Sequence, residues 1–311
     1  MPHEITPLDE NGREKGAALS QEMGLASQPK DLDWLAKNIP CQDACPAHTR
    51  IPDYLAAIAR NEFDEAYRIN LEDNVFPAVL GRVCSRPCED ACRHGWDGLG
   101  DPVAICFSKR ATDDLGTDEP VVMPPVFPSS GKRVVVVGAG VAGLALARNM
   151  TLWGHEVVVL EKHTTPGGML NQGIPEFRLP REIIDREVGQ VTALGIEIRC
   201  NVDVGKDVTL RELLDEYDAT VIAAGTLKPN ILDLPGKELK GIRHGLDFLL
   251  DVNEFGSKEV GRNVVVIGGG FTAVDCVRTA IRLDTDSAAI YYRRSRKEMS
   301  VTHEEIVELD N

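Results

Sequence analysis

Six of the eight cysteines in this chain fall between residues 41 and 106, and their spacing is ordered. Cys41-x3-Cys45-Pro46 comes first, Gly81-Arg82-Val83-Cys84-x3-Cys88-x3-Cys92 follows about forty residues later, and Cys106 closes the group. Thiolates are soft ligands that select iron–sulfur clusters or zinc. Structural zinc favours paired C-x2-C knuckles, which are absent here. A C-x3-C step ending in Cys-Pro instead matches the tail of the bacterial ferredoxin run. The polar N-terminal stretch has no signal-peptide core, so disulfides are the weaker expectation. These six thiols read as candidate ligands of an iron–sulfur cluster. Cys200 and Cys276 lie in strand and helix patterns and read as core residues.

A second kind of chemistry is written twice. Gly138-Ala139-Gly140-Val141-Ala142-Gly143 follows the apolar run Arg133–Val137, and Gly268-Gly269-Gly270-Phe271-Thr272-Ala273 follows Asn263–Ile267. Each reads strand, tight turn, helix, an arrangement that lets backbone approach a pyrophosphate at a helix N-terminus. The second strand of the first unit, Glu156–Leu160, ends at Glu161, a carboxylate suited to a ribose 2′-hydroxyl. The second strand of the second unit, Ala288–Tyr292, ends at Arg293 and Arg294, two guanidinium groups suited to a 2′-phosphate. Two different dinucleotides are therefore expected, one of them phosphorylated.

The elements that must position these groups follow from pattern. Ile51-Pro52 opens a helix, and Ala56–Arg60 and Phe63–Ile69 carry apolar residues at helical spacing. The expected organisation is a flexible arm over residues 1–30, a helical [4Fe–4S] module over 31–118, a proline-rich linker over 119–131, a dinucleotide-binding domain over 132–245 and a partial second one over 246–311. The fold class is α/β, with the α-helical module ahead of two Rossmann-like domains, the second incomplete. A net charge of −15 argues against nucleic acid and anionic membranes as partners. Glycines and charges interrupt the longest apolar runs, so none reads as a membrane span. A cytoplasmic location is expected. No Ser/His/Asp or paired-carboxylate constellation is present, and no catalytic side chain is assigned.

Cys45-Pro46 with Ile51-Pro52, Asn74-x2-Pro77 and Gly81-Arg82-Val83-Cys84 resemble the N-terminal module of the glutamate synthase small-subunit family. That family includes the N-terminal half of dihydropyrimidine dehydrogenase and many NAD(P)H-linked electron-transfer subunits. The likeness continues through Pro166-Gly167-Gly168-Met169-Leu170, Gly173-Ile174-Pro175-Glu176-Phe177-Arg178-Leu179-Pro180, Ala223-Ala224-Gly225-Thr226 and Tyr292-Arg293-Arg294-Ser295. The resemblance implies a glutathione-reductase-like pair of domains, FAD at the first fingerprint and NADPH, in preference to NADH, at the second. Gly138, Gly140 and Gly143 would cradle the FAD pyrophosphate, and Glu161 would hold its ribose. Gly167, Gly168, Met169, Arg178, Gly225 and Thr226 would lie around the flavin. Gly268, Gly270 and Ala273 would take the NADPH pyrophosphate, with Arg293 and Arg294 on its 2′-phosphate.

Three departures qualify the resemblance. The family's longer form has two further cysteines before the position of Cys41, and residues 33–40 hold none. One cluster is therefore expected, with Cys45, Cys84 and Cys88 as ligands and a fourth from Cys106, Cys41 or Cys92. Phe271 and Val141 stand where the family usually has Asn and Pro. Family members also continue well beyond position 311, so the expectation divides between a fragment, a remainder supplied by another chain, and lost hydride transfer. The leading expectation is a subunit of an FAD-dependent NAD(P)H oxidoreductase. It would pass electrons from NADPH through FAD and a [4Fe–4S] cluster to redox partner subunits in a hetero-oligomer. The alternatives are the glutamate synthase small subunit proper and a non-catalytic cluster and FAD docking module.

Overall fold

A computed structural model of the chain describes residues 38–96, 99–117, 121–226 and 235–309. The arm expected over residues 1–30 lies outside them. Two compact units are present. One comprises residues up to Asn74 with Arg86–Ser108, and the other comprises Val75–Ser85 with the chain from Lys109 onward. The expected boundary at residue 118 thus differs from the observed division, because the Val75–Ser85 segment packs with the second unit.

The helical part contains α1 (Pro40–Ala44), α2 (Ile51–Ala59), α3 (Phe63–Asp73), α4 (Pro77–Val83), α5 (Pro87–Asp90) and α6 (Ile105–Asp114). Proline stands in the first turn of α1, α2, α4 and α5, where its missing N–H removes a donor that would have no partner in the helix. In the first unit Ile51, Tyr54, Ala57, Ala66, Ile69, Cys88 and Ile105 form one buried cluster, with Cys41 and Cys45 packed against it.

From Arg133 the order is β1 (Arg133–Val137), α7 (Val141–Leu152), β2 (Glu156–Leu160), α8 (Met169–Gln172), α9 (Arg181–Thr192), β3 (Glu197–Arg199), α10 (Leu210–Glu216) and β4 (Ala219–Ile222). The four strands form one parallel sheet in the order β3-β2-β1-β4. The chain therefore winds outward from β1 to β3 and returns on β1's other side. The crevice at the carboxyl end of β1 is the switch point where α/β sheets bind ligands. Val134, Val135 and Val136 of β1 and Val157 to Leu160 of β2 are buried, as a parallel sheet covered on both faces requires. α10 is fixed by a capping box between Thr209 and Glu212.

The second fingerprint builds α11 (Gly245–Asn253), β5 (Asn263–Ile267), α12 (Phe271–Arg282), β6 (Ser287–Tyr291) and α13 (His303–Glu308). β5 and β6 pair in parallel, Val265 opposite Ala289 and Ile267 opposite Tyr291. The strand expected at Ala288–Tyr292 begins and ends one residue earlier. The proline-rich stretch expected as a linker is tied down where described. Val126 N–H bonds to Leu152 O at 2.7 Å, and Ser130 N–H to Gly154 O at 2.8 Å.

Candidate functional site

At the end of β1 the backbone turns on Gly138, whose φ of +107° favours glycine. A Cβ there would come within 2.4 Å of Ala223 O at the end of β4. Gly143 packs closer still, since a Cβ would lie 1.9 Å from Gly138 O. Gly140 is the N-cap of α7, and no side chain caps that helix. Its first-turn N–H groups are thus left for an anion, with the dipole in the same sense.

Gly167 and Gly168 come back to this turn from the far end of β2. Gly167 N–H donates to Ala139 O at 2.8 Å, and Gly140 bridges Gly167 in parallel register. A Cβ on Gly168 would stand 2.8 Å from Gly140 Cα, so two glycine segments share one cradle that side chains would fill. Met169 follows, more than a third exposed, at the start of α8. Gly225 and Thr226 lie exposed beyond β4.

Glu161 is buried at the end of β2. Its carboxylate accepts Ala139 N–H at 2.7 Å and His163 N–H at 2.9 Å. The backbone therefore fixes the carboxylate against the glycine turn, and each oxygen keeps a lone pair for a hydroxyl. Glycines, an uncapped helix and an oriented carboxylate fit a dinucleotide at the first fingerprint.

The second turn repeats the plan. Gly268 has φ +148°, Gly270 is the N-cap of α12 with no side-chain cap, and Ala273 is buried. The loop after β6 folds back along the turn. Ser300 N–H donates to Gly269 O at 3.0 Å, and a Cβ on Gly269 would meet the Tyr292 ring at 2.5 Å. A capping box between Ser295 and Glu298 shapes this loop. Arg293 and Arg294 are exposed on it. Among the described residues neither guanidinium makes an ion pair or hydrogen bond.

Arg178, expected beside the flavin, is held by two carboxylates. Its guanidinium donates to both carboxylate oxygens of Asp275 on α12, at 2.8 and 2.6 Å, and pairs with Glu305 on α13 at 3.2 Å. Burial pushes the Asp275 carboxyl above its usual range, with Arg178 opposing the shift. The pattern Gly173 to Pro180 thus ties the first nucleotide fold to the helix that follows the second glycine turn. Sequence reasoning missed Asp275, because a lone acid on a helix carries no distinguishing signal.

None of the eight cysteines is joined in a disulfide. In the first unit Tyr54 is wholly enclosed, and its hydroxyl donates to Ile105 O at 3.3 Å. Burial, reinforced by Cys88, Cys106, Cys41 and Cys45, pushes that hydroxyl above the usual phenol range, and Cys88 shares the buried cluster of Tyr54, with Cys41 and Cys45 packed against it. Cys41 is raised by burial and also feels Cys92. Cys106 N–H donates to Glu89 at 2.7 Å. Among the described residues no three His, Cys, Asp or Glu side chains converge as ligands of a single ion. A cubane spaces its thiolates more widely than one ion does, and soft thiols, three of them buried and three half-buried, are the donor type it takes. Cys84, in the second unit, is the half-buried C-cap of α4. Cys276 is buried, as the sequence suggested, and burial with Asp275 pushes its thiol up to about 12. Cys200 is only half-buried.

Among the described residues no helix is long and apolar enough to cross a membrane. Residues 132–309 match the family model described as pyridine nucleotide-disulphide oxidoreductase. Residues 34–119 match one described as the 4Fe-4S domain II of dihydropyrimidine dehydrogenase. The chain is 38% identical over 268 residues to the NADPH-Fe(3+) oxidoreductase subunit beta of Geobacter sulfurreducens, covering 84% of this chain and 39% of that protein. It is 36% identical over 315 residues to the NADP(+)-dependent formate dehydrogenase subunit beta of Moorella thermoacetica, covering 93% and 43%. It is 36% identical to the glutamate synthase [NADPH] small chain of Azospirillum brasilense, covering 86% and 58%. The chain thus spans about two-fifths of the length of the first two. Among solved structures, FprA of Mycobacterium tuberculosis in complex with NADPH aligns with a TM-score of 0.51 at 24% identity, covering 59% of this chain and 48% of that one, a likeness of fold.

Proposed function

Because this chain belongs to the pyridine nucleotide-disulphide oxidoreductase family, we propose that it is an electron-transfer subunit taking electrons from NADPH through FAD to a [4Fe–4S] cluster and a partner redox protein. The observation that carries this reading is the pair of strand–glycine–helix turns in one unit, the first against a buried carboxylate and the second in a unit whose next strand is followed by two exposed arginines. When bound, the flavin and cluster supply the conversion of a two-electron donor into single electrons. The chain's own residues do the rest. Gly138, Gly140, Gly143, Gly167 and Gly168 admit the FAD pyrophosphate by leaving out side chains, and Glu161 orients the ribose. Met169, Gly225 and Thr226 border the same cradle. Gly268, Gly270 and Ala273 place the NADPH pyrophosphate at the head of α12. Arg293 and Arg294 neutralise its 2′-phosphate. Arg178, a further candidate beside the flavin, also holds α12 through Asp275.

In this reading Cys45, Cys84 and Cys88 are ligands of the cluster, and the fourth comes from Cys106, Cys41 or Cys92. The partners are redox subunits of a hetero-oligomer, by analogy with relatives that are themselves described as subunits. The compartment is the cytoplasm, whose reducing poise suits a cysteine-rich chain without disulfides.

Binding of adenosine 2′,5′-bisphosphate and of AMP by calorimetry tests the second site without requiring turnover. A charge-assisted hydrogen bond to phosphate contributes about 1.5–3 kcal/mol, reduced here by exposure, so the 2′-phosphate should strengthen binding by roughly tenfold or better. R293A/R294A should abolish that preference and leave AMP binding almost unchanged. Equal affinity for the two ligands in the unaltered protein would refute the assignment of NADPH.

A further inference from the structure

Glu187 on α9 has no exposed surface, yet its carboxylate serves a helix more than a hundred residues away in the chain. Its two oxygens accept the N–H groups of Ala78 at 2.7 Å and Val79 at 3.0 Å. These are first-turn donors of α4, where Pro77 has no N–H and Phe76 provides no side-chain cap. The negative charge also lies at the favourable end of the helix dipole.

The other half of α4 is held as firmly. Arg82 donates to Asp113 at 3.0 Å and pairs with Asp114, and Asp113 also pairs with Arg186, the residue before Glu187. The side chains of Arg82 and Asp113 are only 7% and 5% exposed. Gly81 lies so close to α6 that a Cβ would stand 2.7 Å from Arg110 N. α4 is seven residues long and too short to persist without such contacts. Cys84 is its C-cap, and its N–H bonds to Leu80 O at 3.2 Å.

We propose that Glu187 is a positioning residue that fixes the Cys84 thiol on the flavin-binding fold by capping α4. The proposal rests on the reading of Cys84 as a cluster ligand. A thiolate that ligates a cluster must be presented at one place and angle. Here its helix has no stability of its own, and its orientation comes from a buried carboxylate at one end and the Arg82–Asp113–Arg186 pairs at the other. The cofactor cradle at Gly138 to Gly143 lies on other elements, so Glu187 should affect the cluster without affecting FAD.

The test uses the full 311-residue chain reconstituted anaerobically with iron, sulfide and FAD, comparing E187L, E187Q and C84S. In E187L, amide hydrogen exchange over Ala78–Cys84 should rise by about tenfold or more, because two buried donors lose their acceptor. Iron content should fall, and the FAD dissociation constant should stay within about twofold of the unaltered protein's. E187Q keeps one acceptor oxygen and should rescue part of both the protection and the iron. Full iron with unchanged exchange in E187L would overturn the proposal. So would exchange that rises equally through the β1–β4 sheet, since that marks a general packing defect. If E187L does not fold, E187Q decides by the same contrast between α4 and the sheet. Loss of the cluster in C84S with full retention in E187L would overturn the positioning role alone. A C84S protein with full iron would overturn the ligand reading and the proposal with it.

Discussion

The two glycine turns share a residue pattern but differ in where they are tightest. In the first, helix α7 presses on its own turn: a Cβ at Gly143 would lie 1.9 Å from Gly138 O. In the second, the corresponding position is already Ala273, and the close approach has moved to Gly269, against the Tyr292 ring. The sheets differ as well. β1 and β2 are buried nearly throughout, whereas β5 and β6 alternate, with Val265, Ile267 and Tyr291 about 60–65% exposed. A parallel sheet ordinarily buries both faces. Similar fingerprints therefore sit in a closed core in one case and beside an open sheet face in the other. The fingerprint records how backbone meets phosphate, and it does not record how well its sheet is covered.

The largest expected effect breaks this comparison at the third glycine. G143A should destabilise the fold by about 3 kcal/mol, because the obstructing atom is a backbone oxygen that cannot yield, and FAD should be lost with it. The formally similar change G270A meets nothing within 4 Å and should leave the melting temperature nearly unchanged. Urea unfolding of both variants measures the difference, and equal losses would erase the distinction. Core truncation comes next. V135A removes a fully enclosed side chain and should cost about 2 kcal/mol, whereas V265A on the exposed face should cost about 0.5 kcal/mol or less.

A smaller effect concerns two thiols, one in each nucleotide fold. Cys276 has a folded value of about 12 against 9.0 for an unperturbed thiol. Keeping it neutral stabilises the fold fully below about pH 9, and this contribution is lost as pH climbs toward 12. At about pH 8, iodoacetamide should therefore modify half-buried Cys200 well before Cys276. Peptide mass spectrometry after timed quenching would check the order, and faster labelling of Cys276 would mean that α12 opens in the native state.

Much of the fold and of both glycine turns was legible in the sequence, because each rests on local chemistry. Glycines where backbone must come close, valine runs for buried strands and proline at helix starts are choices made within a few residues. Strands β1, β2 and β5 fall where the apolar runs placed them, and β6 differs by one residue. The charges closing each unit could be read for the same reason. Arg178 could not, because its tertiary partner Asp275 lies 97 residues away.

The sequence by itself determined the chemical inventory of this protein: two dinucleotide turns of opposite closing charge and a set of thiols fit for a cluster. Its glycine, proline, cysteine and charge positions carry that information locally. Only the tertiary structure decided that Val75–Ser85, with Cys84, packs with the second unit. It also decided that a buried carboxylate from α9 caps α4, and that Gly168 meets Gly140 in one cradle. Those pairings join residues tens to more than a hundred positions apart. Burial and hydrogen-bond satisfaction select such partners once the elements have packed, and no local pattern in the chain specifies them.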